Sequence, residues 1–144
     1  MMAKLVPELY CSNFARSLHF YVDLLGFRVL YDRAEERFAY LARDGAELMI
    51  EQPTGRIWLA GELTHPFGRG VNLQIQISGI DAYHERCRAE GVSMFLPLEE
   101  KLYRRADMLL RCRQFLVQDP DGYLLRFQER LGTLPAANSP GKPP

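Results

Sequence analysis

The feature that most restricts how this chain can fold is an internal repeat. The first half opens with the short apolar run KLVPELYC, followed by SNFARSLHFYVDLLGF. Ser12 and Asn13 are N-capping residues, because their side-chain oxygens can accept from the first free backbone N–H groups of a helix. Phe14, Leu18, Tyr21 and Leu25 then recur at helical spacing, and Gly26 supplies a residue that closes a helix. Three strand-like runs follow, FRVLYD, RFAYLAR and AELMIEQ, the last two joined by a turn at Asp44-Gly45. The second half repeats this order. GVNLQIQIS reads as a strand, GIDAYHERCRAEG as a helix ended by Gly91, and VSMFL, CRQFLVQ and YLLRFQ as strands, with the turn Asp119-Pro120-Asp121-Gly122 between the last two. The distance from Ser12 to Gly26 matches that from Ser78 to Gly91 to within one residue, and FAYLARDG parallels FLVQDPDG. The chain therefore reads as an α+β protein of two βαβββ modules, residues 4–52 and 70–129. The connection over 53–69 is long, and long connections inside compact domains are often functional. Residues 130–144 include GTLPAANSPGKPP, a composition that predicts a flexible tail or a segment ordered only against a partner.

With 144 residues, the chain can bury roughly 70% of its unfolded surface, so it needs neither disulfides nor a structural metal to hold together. Eighteen basic and eighteen acidic side chains cancel. That balance argues against a nucleic-acid partner, which calls for a basic surface. No apolar run approaches the ~20 residues that span a bilayer, so no membrane partner is expected. The opening MMAKLVPELY does not read as a signal peptide. Cys11, Cys87 and Cys112 are an odd count without a CxxC, which reads as reduced thiols and predicts a cytoplasmic location.

Strict alternation in NLQIQIS places Leu73, Ile75 and Ile77 on one face of its strand and Asn72, Gln74 and Gln76 on the other. The apolar set should pack under the helices and the polar set should line the open side of the sheet. The same parity assigns to that open side Val6, Glu8, Phe38, Tyr40, Glu47, Met49 and Glu51 from the first module. From the second it assigns Arg111, Arg113, Phe115, Leu124 and Arg126.

The paired modules, the phrase SNFARSLHFYVDLLGF and the closing DPDGYLLRF together resemble the vicinal oxygen chelate superfamily of glyoxalases, extradiol dioxygenases and bleomycin-resistance proteins, over about residues 4–130. The resemblance implies a curled mixed sheet with a U-shaped cleft. It also implies divalent-metal ligands, mostly His and Glu, on the first and last strand of each module. Carried over by position, the first-strand sites fall on Val6 and Asn72. The last-strand sites fall on Arg126 and on Met49 or Glu51. Valine and asparagine make no divalent site with arginine, whose guanidinium is permanently cationic and only donates. The metal chemistry is thus expected to be absent, with no cofactor. The phrases PELYCS, GFRVLY, GAELMIEQ and RQFLVQDPDGYLLRF most resemble the bleomycin-resistance branch. That likeness implies a metal-independent, non-enzymatic homodimer with an exchanged N-terminal strand that sequesters a drug-like molecule. Pro7 is placed either to hinge such a strand or simply to sit at a sheet edge. The chain departs from those drug binders in being neutral overall and in carrying Arg111-Cys112 where they often carry Trp-Gly.

The expected partners are a small organic ligand and a second copy of the chain, and each candidate contact has a plainer alternative. Phe38 and Tyr40 either stack on a planar ligand or pack on the sheet. Trp58 either caps the cleft or an interface, or packs within its loop. Gln74 and Gln76 either orient a ligand or are solvated amides. Arg111, Arg113 and Arg126 either bind an anionic group or pair with Glu8, Glu47 and Glu51. Phe115 is expected to line the cleft with them. Cys112 beside two arginines is a weak nucleophile candidate. His65 is a lone loop histidine, His19 and His84 fall in the helices, and Tyr103-Arg104-Arg105 reads as a solvated loop. The rival to passive binding is a metal-free or atypical-metal lyase or isomerase that uses the three glutamates.

Overall fold

Each βαβββ module forms its own four-stranded sheet. The computed structural model describes residues 2–136. The first module contains β1 (Glu8–Tyr10), α1 (Phe14–Leu18), β2 (Arg28–Arg33), β3 (Phe38–Arg43) and β4 (Ala46–Glu51). The second contains β5 (Asn72–Gln76), α2 (Ile80–Ala89), β6 (Met94–Arg105), β7 (Met108–Gln118) and β8 (Leu124–Pro135). The strand orders are β1-β4-β3-β2 and β5-β8-β7-β6. In both sheets the first strand runs parallel to the last and the remaining pairs are antiparallel. Strands pair only within a module, so the architecture is two mixed sheets rather than one continuous curled sheet.

The helices start and stop where the sequence predicts. The Asn13 side chain accepts from the N–H of Arg16, and α1 widens after Leu18 into a π-helical turn over His19–Leu24 before Gly26 reverses the chain at φ 82°. At α2, the N–H groups of Gly79 and Ile80 both donate to the carboxylate of Glu129 from β8. An anion there satisfies donors that a helix start otherwise leaves free, and it complements the helix dipole.

A single core joins the modules. Leu9, Tyr21, Leu25, Phe27, Leu41 and Ile50 pack in one cluster with Ile75, Ile80, Tyr83, Phe115, Val117, Leu125 and Phe127. Polar groups lock the seam. The DPDG turn contributes Asp119, which accepts from the buried Tyr21 hydroxyl, and Asp121, which accepts from both the N–H and the hydroxyl of Ser12. Tyr123 O–H donates to the Tyr10 carbonyl, and Tyr83 O–H donates to the Leu25 carbonyl at 2.6 Å. Tyr83→Phe strands that carbonyl at the end of the first helix, and should lower unfolding free energy by about 1 kcal/mol in urea titrations.

The second sheet is longer than expected. VSMFL opens a strand that continues to Arg105, so Tyr103-Arg104-Arg105 is not a loop: it pairs with Met108–Leu110. Likewise β8 runs to Pro135, which draws residues 130–135 out of the expected tail because Thr133, Leu134 and Pro135 pair with Leu110, Leu109 and Met108. Residues 137–144 of that tail lie outside the described residues. At ~1.5 Å per helical residue against ~3.3 Å per strand residue, α2 covers less than half the length of β7 and β8. Leu102 and Leu134 stand exposed on the uncovered stretch. Among the described residues, no helix is long and apolar enough to cross a membrane.

Candidate functional site

The face of the second sheet opposite α2 is fixed by strand register. Asn72 pairs with Leu124, Gln74 with Arg126 and Gln76 with Gln128 across β5 and β8. Gln118, Leu116 and Gln114 of β7 lie opposite the same three β8 residues. Three rows result: Asn72–Leu124–Gln118, Gln74–Arg126–Leu116 and Gln76–Gln128–Gln114. Arg126 stands at the centre, so Gln74, Gln76 and Arg126 do share the open face. Sequence reasoning missed Gln114 and Gln128. Gln74 Nε2 donates to Gln128 Oε1, Gln128 Nε2 to Gln114 Oε1, and Gln114 Nε2 to the Glu99 carboxylate and the Tyr103 hydroxyl. A carboxylate only accepts, so Glu99 fixes the orientation of every amide in the relay.

Arg111, Arg113 and Phe115 do not belong to this face. Gln118 pairs with Leu124 across the turn, so from Gln118 back to Cys112 even-numbered residues of β7 face even-numbered residues of β8 and odd face odd; the register shifts between Cys112 and Arg111, and Arg111 stays with Arg113 and Phe115 by the alternation of β7 itself. Phe115 therefore lies opposite Phe127, fully buried beneath α2 at 0% exposure, with its ring 5.3 Å from that of Phe127. Arg113 donates to Asp81 at the start of α2, and Arg111 to Glu100 of β6. Neither arginine pairs with Glu8, Glu47 or Glu51.

On the first module, Phe38 and Tyr40 lie opposite Glu51 and Met49, on the face that also carries Glu8. Both aromatics are buried, because their rings are already covered. Tyr31 stacks on Tyr40 with centroids 5.0 Å apart, and the Arg33 guanidinium lies 3.9 Å over Phe38. The aromatic that solvent reaches is Tyr31, at 40% exposure, on the edge strand β2 whose parity the sequence reading left unassigned. Tyr40 O–H donates to Glu47, which also accepts from the Ala3 N–H. The Glu47 bond pushes the Tyr40 phenol up to about 12 and holds the Glu47 carboxyl below its ordinary range. Burial, then the neighbouring Glu51 charge, push the Glu8 carboxyl up.

Three cavities adjoin these faces. One of about 400 Å³ lies over the first row of the second sheet, lined by Asn72, Gln118, Leu124, Phe95, Val71 and Arg69 among others. A second, about 330 Å³, lies between β5 and the segment Ala3–Pro7 with β4, so both modules contribute to it. The third, about 290 Å³, holds Glu8, Glu51, Arg33, Glu36 and Trp58. Trp58 is 68% exposed, its backbone N–H donates to the Tyr10 hydroxyl, and it rims this third cavity, apart from the Arg126 face.

The metal positions implied by the resemblance do not fit a divalent cation. Val6, Asn72 and Arg126 make no ligand set, and the two second-module positions are not cross-strand partners: Asn72 lies opposite Leu124, while Gln74 faces Arg126 as Glu8 faces Met49 in the first module. Among the described residues, no group of three or more His, Cys, Asp or Glu side chains is placed to hold an ion. Cys112 has no nucleophile's environment either: it is fully buried, and burial raises its pKa despite Arg126 nearby. Iodoacetamide should label it at least ~10-fold more slowly in the native chain than in urea, read by mass spectrometry.

Comparison with known proteins agrees with this fold. The model of the Glyoxalase/Bleomycin resistance protein/Dioxygenase superfamily matches residues 4–127. None of the curated proteins matches the chain. Among solved structures, TioX from Micromonospora sp. ML1 is 24% identical, with a TM-score of 0.70 over 90% of this chain and 100% of that one. A superfamily member from Vibrio splendidus 12B01 is 40% identical over 88% of this chain and 97% of that one, with a TM-score of 0.40. A third, from Alicyclobacillus acidocaldarius, is 16% identical over 90% and 93%, with a TM-score of 0.63. On the extent of the family match, the chain belongs to the glyoxalase/bleomycin resistance protein/dioxygenase superfamily.

Proposed function

We propose that this protein binds a small organic molecule in a cleft bordered by the open sheet faces and releases it unchanged, in the manner of the bleomycin-resistance branch. The observation that carries the reading is the composition of the second sheet's open face. Six amides, two leucines and a single arginine occupy the rows where the superfamily's metal-dependent members are expected to hold ligands, and a cavity of about 400 Å³ opens beside them. That volume is within the range of small-ligand pockets. Ligand-observed NMR with a panel of flat organic compounds, followed by mass spectrometry of the recovered compounds, tests the reading. Binding with unaltered compounds is expected; catalytic turnover of any bound compound overturns it.

A homodimer belongs to the same proposal, and it is supported by the leucines exposed where the second sheet outruns α2. In this chain β1 pairs with its own β4. Exchange about Pro7 would replace that pairing with the same one between subunits. Light scattering at micromolar concentration should return twice the chain mass, and a monomer would remove the dimer from the account.

One observation favours the rival reading of a metal-free lyase or isomerase. The raised Glu8 pKa, beside Glu51 in a cavity, suits a proton-transfer group. Turnover in a lyase and isomerase screen that survives chelator and is lost in Glu8→Gln would establish it.

A further inference from the structure

We infer that the ligand is an organic monocarboxylate with a flat apolar body, anchored by Arg126. This inference rests on the small-molecule reading above and names its ligand class.

Arg126 lacks a partner among the described residues. Arg111 and Arg113, on the opposite face, each pair with a carboxylate. Arg126 is half-buried at the centre of the open face, yet it makes no ion pair or hydrogen bond with any of the described residues, and its Nε is buried without an acceptor. A cation taken partly out of water without a partner is costly, so a partner is expected from outside the chain. Gln128 and Gln114 cannot supply one, and the free Gln74 oxygen is a neutral acceptor that does not balance the charge. The relay toward Glu99 uses the oxygens of Gln128 and Gln114 as acceptors for other amides. Leu116, opposite Arg126 on β7, offers nothing polar.

No hydrogen bond holds the guanidinium down, so turning it toward the neighbouring cavity breaks none. Once turned, it presents two parallel N–H donors, the fork that matches a carboxylate. Arg126 supplies the one half-buried positive charge in the three rows, and Arg69 at the cavity is exposed and already donates to the Thr64 hydroxyl and the His65 carbonyl, which suits a monoanion. The adjoining cavity suits the body of the ligand. Leu124, the next β8 residue on the same face, forms part of its floor, and Phe95, Val71 and Pro66 add apolar wall. One of the two Gln74 Nε2 hydrogens goes to Gln128, and the Gln74 oxygen remains as an acceptor beside Arg126.

The test uses the full chain with 2-naphthoate and its uncharged counterpart 2-naphthamide, read by calorimetry and by the arginine Nε–Hε and glutamine side-chain signals in NMR. Naphthoate should bind at least ~10-fold more tightly than naphthamide, with a shift in the Arg126 signal, and Arg126→Gln should abolish that preference. Arg111→Gln, on the far face, should preserve it. Equal binding of both probes with shifts on the open face would overturn the carboxylate anchor while leaving the small-molecule reading intact. Naphthoate preference that survives in Arg126→Gln would also overturn the anchor. The absence of any open-face shift with either probe would count against both readings.

Discussion

Asp119→Ala should destabilise the chain by about 3–5 kcal/mol. Asp119 is the buried acceptor on which three donors converge. Oδ1 accepts from the N–H groups of Asp121 and Tyr123, at 2.9 Å each, and Oδ2 from the Tyr21 hydroxyl at 2.8 Å. Tyr21 has no access to water, so alanine leaves its hydroxyl unpaired and also frees the turn that carries Asp121 to Ser12. Asp119→Asn keeps an oxygen for the two turn N–H groups and should cost only about 1–2 kcal/mol. The pair also differ in pH dependence. Burial raises the Asp119 pKa in the folded state, against the opposing effect of its hydrogen bonds. A carboxyl that binds its proton more tightly when folded contributes most below its unfolded pKa, and that contribution falls as pH rises through the folded value. The stability gap between wild type and Asp119→Asn should therefore narrow with rising pH across that window. Urea titrations at several pH values measure both effects, and a gap independent of pH would contradict the assignment.

Gly122→Ala should cost about 3 kcal/mol and disturb the candidate site at the same time. Gly122 has φ 91°, a region that an L-residue enters at a cost of about 1–2 kcal/mol. The rest comes from a collision, because an added Cβ would lie 2.4 Å from Pro66 Cβ and 2.7 Å from Pro66 Cα. The connection must move away, and the bond from Phe67 N–H to the Asp121 carbonyl, at 2.8 Å, goes with it. Pro66, Gly68, Arg69, Gly70 and Val71 form one wall of the 400 Å³ cavity, so this change opens the site as well as weakening the fold. Gly91→Ala is the control. Its φ is also positive, at 77°, but nothing lies within 4 Å of an added Cβ, so only about 1 kcal/mol should be lost. Equal losses at the two glycines would show that the connection does not lean on the turn.

The two modules were legible because their punctuation is local. Asn13, Gly26, Gly91 and the two turns state where elements begin and end without reference to anything distant. The open face was legible where alternation is strict, as in NLQIQIS, and illegible where it depends on register. The placement of Arg111, Arg113 and Phe115 failed by one residue, since the parity of β7 is set by how the DPDG turn pairs Gln118 with Leu124. That pairing would have exposed the error, because a residue opposite the core residue Phe127 cannot line a cleft. The long extension of β6 and β7 stayed hidden for another reason. EEKLYRRADML contains no Gly or Pro to mark its turn, and Ala106 takes a positive φ, at 55°, that sequence reasoning reserves for other residues. The covering of Phe38 and Tyr40 by Tyr31 and Arg33 is a tertiary arrangement that no spacing announces.

Under the proposed function, the rows holding Gln74 and Arg126 form a passive organic-ligand face rather than a metal centre. Anaerobic dialysis of the full chain against Zn²⁺, Mn²⁺ and Fe²⁺, followed by elemental analysis, tests it most directly. The account predicts that no ion is retained in stoichiometric amount, whereas one tightly held ion per chain would contradict it.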